Sequence, residues 1–237
     1  MKIKKYIFLV IVTICLSCNS SKKIKLNLEQ RNFLVVGKFY GNFKSIIESY
    51  ESGGTLTVYE YEFDSVNNSI LTIIKDKIDS KVQYDKKNLI DSTVSYSGNK
   101  LRTTFYHKTR FNEYYPKYSK ENDVEVDDVK YEIDTIKNIV KFIYNNKISS
   151  VSYFDTNKNL VSKELLDTSG KETYDYDNFG NLKNVFVQNL IGNETPFNII
   201  KYEYEYDERN NWISKTFTKN YLNGEKLSIK TNRTITY

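Results

Sequence analysis

Apolar and polar residues alternate with a period of two along most of this chain. In Lys201-Tyr202-Glu203-Tyr204-Glu205-Tyr206 every aromatic falls on one side and every charge on the other. That is the pattern of a strand with one packed and one solvated face. Phe33-Leu34-Val35-Val36 and Thr55-Leu56-Thr57-Val58-Tyr59 also read as strands. Between them Phe43, Ile46, Ile47 and Tyr50 fit helical spacing, with Asn42 as a cap and Gly53-Gly54 as a stop. Strand is the preferred expectation there, because both neighbours are extended.

The strands are punctuated by a recurring turn: an aromatic or apolar residue, Asp, and three residues later a turn former followed by Asn and an apolar residue. It stands at Asp64, Asp85, Asp134, Asp155, Asp177 and Asp207, with intervals of 21, 49, 21, 22 and 30 residues. Each Asp can accept a hydrogen bond from the amide two residues on, and the Asn or Gly three residues on can adopt a left-handed conformation. Asn181 and Asn211 then end their turns. Three residues before each Asp stand Tyr61, Val82, Tyr131, Ser152, Tyr174 and Tyr204, mostly aromatic or β-branched. A second set of turns lies between, at Asp76-Lys77, Asn145-Asn146, Ser169-Gly170, Gly192-Asn193 and Asn223-Gly224. The unit is strand, turn, strand, turn, and a consecutive meander is its simplest topology. The 49-residue interval contains a degenerate copy around Tyr96 to Leu101.

The pattern Tyr174-Asp175-Tyr176-Asp177 with Gly180-Asn181-Leu182, and its partner Tyr204 to Trp212, resembles the tyrosine-aspartate (YD) repeat of Rhs-type and teneurin-type proteins. It is more similar still to small bacterial envelope lipoproteins with degenerate copies of that repeat. The resemblance covers residues 61–237, and more loosely 33–60. It implies an all-β fold, a curved or spiralling antiparallel sheet of consecutive hairpins, and it carries no catalytic residue with it.

The amino end changes what counts as the mature chain. Lys2, Lys4 and Lys5 precede the eleven-residue apolar run Tyr6 to Leu16, the length of a signal-peptide core and too short to span a bilayer. Ser17-Cys18 follows as in a lipobox, so residues 1–17 are expected to be a lipoprotein signal peptide, with Cys18 the site of lipid attachment. Residues 18–32 form the lipidated Cys and tether, and 33–237 the hairpin domain. Loss of 1–17 removes three Lys and no acid, taking the formal charge from +5 to +2. So weak a charge gives nucleic acid no electrostatic reason to bind. The folded part has no cysteine, which excludes disulfides and thiolate chemistry.

Composition adds one structural bias. The chain contains no Ala and is rich in Tyr, Ile, Lys and Asn, which favours a pleated sheet over helices; codon bias alone accounts for much of it. Residues 106–128 break the pattern and form an irregular insertion. It holds the single His107, Tyr114-Tyr115-Pro116 and the acidic residues Glu121, Asp123, Glu125, Asp127 and Asp128. His107, Tyr114 and Tyr115 are the candidate binding loop, since long loops on a regular scaffold carry function.

One His cannot build a two-histidine metal site, and Asp155 to Asn159 lacks the Gly of a calcium loop, so no metal or cofactor is expected. Trp212 occupies an apolar repeat position and is expected to pack. The expected function is a non-catalytic binding or scaffolding module of the cell envelope, anchored by lipid to the outer membrane and facing the periplasm. Its partner is expected to be an envelope protein or glycan, met on an exposed aromatic and charged sheet face. A periplasmic immunity-type protein against a secreted toxin is the alternative, and a glycan-active hydrolase the third.

Overall fold

The computed structural model describes residues 30–33, 37–97, 100–111, 113–126, 129–189 and 195–237. The segment read as a signal peptide, Cys18 and Gly192-Asn193 lie outside the described residues. The strands are β1 (Gln30–Phe33), β2 (Gly37–Tyr40), β3 (Ser45–Ser52), β4 (Thr55–Asp64), β5 (Ser69–Ile74), β6 (Lys77–Tyr84), β7 (Ile90–Ser97), β8 (Lys100–Tyr106), β9 (Pro116–Glu121) and β10 (Val124–Val126). They continue with β11 (Lys130–Asp134), β12 (Ile139–Tyr144), β13 (Lys147–Phe154), β14 (Leu160–Leu165), β15 (Gly170–Tyr176), β16 (Leu182–Asn189), β17 (Phe197–Tyr206), β18 (Trp212–Asn220) and β19 (Lys226–Thr236). The fold is the all-β, curved antiparallel sheet of consecutive hairpins that the alternation predicts.

From β3 to β19 each strand pairs with its sequence neighbours, and β19 returns to pair with β3, Thr236 opposite Ser45. The seam lies at β10 and β11. The first pairs with β9, the second with β12, and the chain between them joins the two ends of the order. Among the described residues no ladder joins β10 to β11, although the strand order sets them side by side.

The Asp turns all fall on one rim of this ring and the second set of turns on the other. Gly53-Gly54, Lys75-Asp76, Asn122-Asp123 and Asn145-Asn146 each have two successive residues at positive φ, the backbone of a two-residue hairpin whose twist suits the strands. The turn expected at Asp76-Lys77 thus sits one residue earlier. Ser45–Ser52 is extended, so the helical spacing there has no helix behind it. Tyr96 and Leu101 pair at the far-rim ends of β7 and β8, and Gly98-Asn99 between them lie outside the described residues. Where the Asp rim lacks a turn, residues 107–115 fold instead. The irregular insertion is confined to those residues. Pro116 to Val126 forms an ordinary hairpin, because Asn122 and Asp123 supply its positive-φ turn and Lys117 to Lys120 pairs with β8. Strand β1 starts at Gln30 and so takes in the last three residues of the segment read as tether.

Alternation sorts the two faces of the wall. Tyr202, Tyr204, Tyr206, Tyr59, Tyr61 and Phe63 turn inward, whereas Lys201, Glu203, Glu205, Lys230 and Glu62 turn outward. A lipid-facing wall would place such lysines where each costs about 2–4 kcal/mol at midplane, so this outer wall suits water. A ring of about seventeen strands is too wide to be filled by its inward side chains alone. Two segments fill one end. Residues 37–44 cross the Asp rim, with Phe39 and Phe43 buried among Ile46, Ile70, Val82, Tyr84 and Ile90. Residues 107–115 bury Phe111 and Tyr115 against Val140, Phe154 and Leu160. Phe111 stacks on Phe154 at 4.3 Å between centroids. At the far rim consecutive residues are both exposed, as at Thr55-Leu56, Lys77-Ile78 and Lys226-Leu227. Since neighbours face opposite sides, the lumen is open there.

Candidate functional site

The Asp rim is built by one local device with two variants. At Asp85, Asp155, Asp177 and Asp207 the residue three positions on, Asn88, Lys158, Gly180 or Asn210, has positive φ. In Asp177 the Oδ1 atom accepts from the Phe179 amide at 2.9 Å and the Asn181 amide at 2.8 Å. Asp207 receives the Arg209 and Asn211 amides at 2.9 Å each. Asp64 and Asp134 accept from the amides two and three residues on instead, and positive φ falls one residue later, at Asn68 and Asn138. Hydrogen bonds from Asn67 hold the Asp64 carboxyl below its ordinary pKa.

The Asn that closes each turn does more than end it. Asn181 donates to the Tyr206 hydroxyl at 3.1 Å, and that hydroxyl donates to Asp177. Asn211 makes the same link to Tyr237, which donates to Asp207; burial and that bond push the Tyr237 phenol up to about 12. These two turns are thereby tied to Tyr206, which ends β17, and to Tyr237, which follows β19. Asn211 also accepts from the Tyr40 amide at 2.7 Å and donates to the Tyr40 carbonyl at 3.0 Å. Lys38 donates to Asn159 at 2.8 Å and lies 5.5 Å from the Tyr176 ring centroid. The segment across the rim is held by the repeat turns themselves, a role for these asparagines that local sequence does not show. Asp155 to Asn159 is one of these turns.

Beside the Asn211 turn, inside the wall, Arg233 donates to Glu48 through Nε at 2.9 Å and also through Nη2, and its guanidinium lies 3.4 Å over the Trp212 ring. Trp212 is buried, as packing requires. This ion pair fastens β19 to β3 where the chain ends meet. Lys215 lies beside it, its pKa lowered by burial.

Beneath residues 107–115 the lumen holds a cavity of about 390 Å³. Glu113, Tyr114, Tyr115, Tyr131, Lys163 and Tyr174 line it, with Ser150 and Ser152 on the wall and Val140, Phe142 and Leu160 beneath. Glu113 stays open to water through the lumen although protein encloses most of it. Enclosure raises its carboxyl pKa and Lys163 opposes the rise. Burial, then the Glu113 charge, push the Tyr114 and Tyr115 phenols up, and Ser152 hydrogen-bonds Tyr115. For Tyr174 burial leads, followed by the hydroxyl's bond to Glu172. These phenols stay protonated donors across physiological pH.

Of the candidate loop residues, Tyr114 and Tyr115 meet Glu113 at this cavity. His107 does not: it stands half-buried where β8 ends, with its amide bonded to the Tyr115 carbonyl at 3.0 Å. Burial and Lys117 lower its pKa. Glu121 faces Lys100 at 3.6 Å and Arg102 at 3.9 Å, while Asp127 and Asp128 lie outside the described residues. Among the described residues no three His, Cys, Asp or Glu side chains converge as metal ligands. On the outer face Tyr153 donates to Glu164 at 3.2 Å and Phe105 stacks on Tyr118 at 4.7 Å. In β4 and β17 the period-two pattern sends the rings into the lumen and the charges to the outside, so most of the aromatic surface of those strands is internal. Glu113 was not singled out by the sequence, since nothing local distinguishes it from other loop carboxylates.

No family model matches the chain, and no curated relative does. Among solved structures, a porin-like protein from Bacteroides uniformis ATCC 8492 is similar over 81% of this chain and 97% of its own, at 10% identity and a TM-score of 0.39.

Proposed function

We propose that the chain is a lipid-anchored binding protein of the bacterial cell envelope that holds a small ligand, without catalysis, in its lumen. The observation that carries this is the cavity of about 390 Å³ between the inserted loop and the wall, lined by phenols, Glu113 and Lys163 and reached from the open rim. Apolar walls with a few convergent polar groups are what small-molecule sites are made of.

The anchor is read from Lys2 to Cys18. Eleven residues separate Cys18 from Gln30, so the tether spans at most about 40 Å when extended. It joins the fold at the plugged rim, which leaves the open rim free to face away from the membrane. The outer membrane, periplasmic side, is the proposed location.

Two measurements test this. Palmitate labelling and membrane fractionation of the wild type and Cys18→Ser are expected to show label and membrane association only in the wild type; persistence of both in the variant overturns the anchor. Native mass spectrometry of the protein from solubilised envelope is expected to find a bound small molecule that Ser150→Phe, which fills the cavity, lacks. A wild type without any bound molecule counts against the lumen as a binding compartment.

A further inference from the structure

The cavity's rings and charges select a class of ligand. Two carboxylates stand near it against one ammonium. Glu113 lines it, Lys163 lines it, and Glu172 sits across the ladder from Lys163, engaged by the Tyr174 hydroxyl. Neither Glu113 nor Lys163 forms an ion pair or hydrogen bond with a described residue; they face each other only at longer range. A partly enclosed region with an excess negative charge favours an incoming cation.

The rings point the same way. Tyr115 and Tyr131 lie 5.0 Å apart with planes 58° apart, and Tyr131 and Phe142 lie 5.4 Å apart at 39°. Successive rings therefore turn a corner around the cavity instead of stacking flat. Elsewhere this chain covers its own rings with cations: Lys158 over Phe111, Arg209 over Tyr237, and Arg233 over Trp212. Among the described residues no lysine or arginine lies over Tyr115, Tyr131 or Tyr174. An aromatic corner beside a carboxylate, with Val140 and Leu160 beneath, matches an ion whose charge is spread over alkyl groups.

Resting on the reading of the lumen as a binding compartment, we propose that the cavity takes a small organic cation, its alkylammonium group seated between Glu113 and the rings of Tyr115, Tyr131 and Tyr174. The Lys163 ammonium, which lines the same cavity, repels the cation and weakens its binding.

The test is calorimetry on the full chain in a maltoside detergent with two probes. One is choline; the other is neopentyl carbinol, of the same shape with carbon in place of the charged nitrogen. Choline is expected to bind roughly tenfold or more tightly than the neutral probe. Glu113→Gln is expected to remove that preference, and Lys163→Met to strengthen choline binding several-fold, with melting temperatures showing both variants folded. Equal binding of the two probes, or a preference for choline that survives Glu113→Gln, overturns the proposal. A neutral molecule found in the native protein and lost in Ser150→Phe also overturns it, while leaving the lumen a binding compartment. Absence of both a native ligand and choline binding removes the two readings together.

Discussion

Replacing Asn211 with alanine removes the clamp that holds the rim-crossing segment to the repeat turns. Asn211 is 1% exposed. Its side chain accepts from the Tyr40 amide at 2.7 Å, donates to the Tyr40 carbonyl at 3.0 Å and donates to the Tyr237 hydroxyl at 3.1 Å. Two lost bonds to backbone are worth about 1 kcal/mol each, and stripping buried groups of a partner adds about 1–3 kcal/mol. The Asn211 amide keeps its bond to Asp207, so the turn itself survives. The expected loss is about 3 kcal/mol, and because Phe39 shares a core with Ile46, Ile70 and Val82, it is expected to appear in global unfolding. Urea unfolding of the full chain is expected to show a lower midpoint at unchanged slope. Hydrogen exchange at residues 38–40 should quicken in parallel. Asn181→Ala, which loses one side-chain bond, to a half-buried Tyr206, is the control and is expected to cost about 1 kcal/mol. Equal losses for the two variants, or unchanged protection of residues 38–40 in Asn211→Ala, would refute the clamp.

Asp64→Asn is expected to lower the melting temperature near neutral pH and to lose that effect in acid. The Asp64 carboxyl has a depressed pKa when folded, so its contribution is present above its ordinary value of 3.8 and fades as pH falls through the folded value; melts that differ equally at neutral and strongly acid pH contradict this. Gly180→Ala is expected to cost about twice as much as Gly54→Ala. Both glycines have positive φ, where alanine costs about 1–2 kcal/mol, but a Cβ at Gly180 crowds the Lys38 side chain, which must then leave its bond to Asn159, and at Gly54 meets nothing; similar melting temperatures for the two variants would show that Lys38 is not packed there.

Much of the wall was legible because it is written locally. The alternation of Lys201 to Tyr206 gives the two faces of β17, and the Asp turns give one rim. The one-residue shift of positive φ to Asn68 and Asn138 was not visible, since Asp64 and Asp134 share the spacing of the other four turns but accept from a different amide. What depends on chain-wide closure was hidden. Glu48 meets Arg233, and Asn211 meets Tyr40, only because β19 returns to β3. The insertion drew notice at Tyr114 and Tyr115, yet its chemistry turns on Glu113, whose neighbours Lys163 and Tyr174 come from other strands.

The most direct test of a water-reached, negatively biased lumen is thiol labelling at Ser150. The chain's own cysteines are Cys15 and Cys18 alone, so the wild type serves as the blank for Ser150→Cys. Methanethiosulfonate reagents of similar size and opposite charge are compared by their labelling rates, and the ratio cancels any change in the thiol's own pKa. With Glu113 and Glu172 near Lys163 as the local charges, the cationic reagent is expected to react faster, and Glu113→Gln is expected to shrink the ratio. If neither reagent labels the folded protein, or the anionic one is as fast, the lumen described here is not the compartment through which this protein acts.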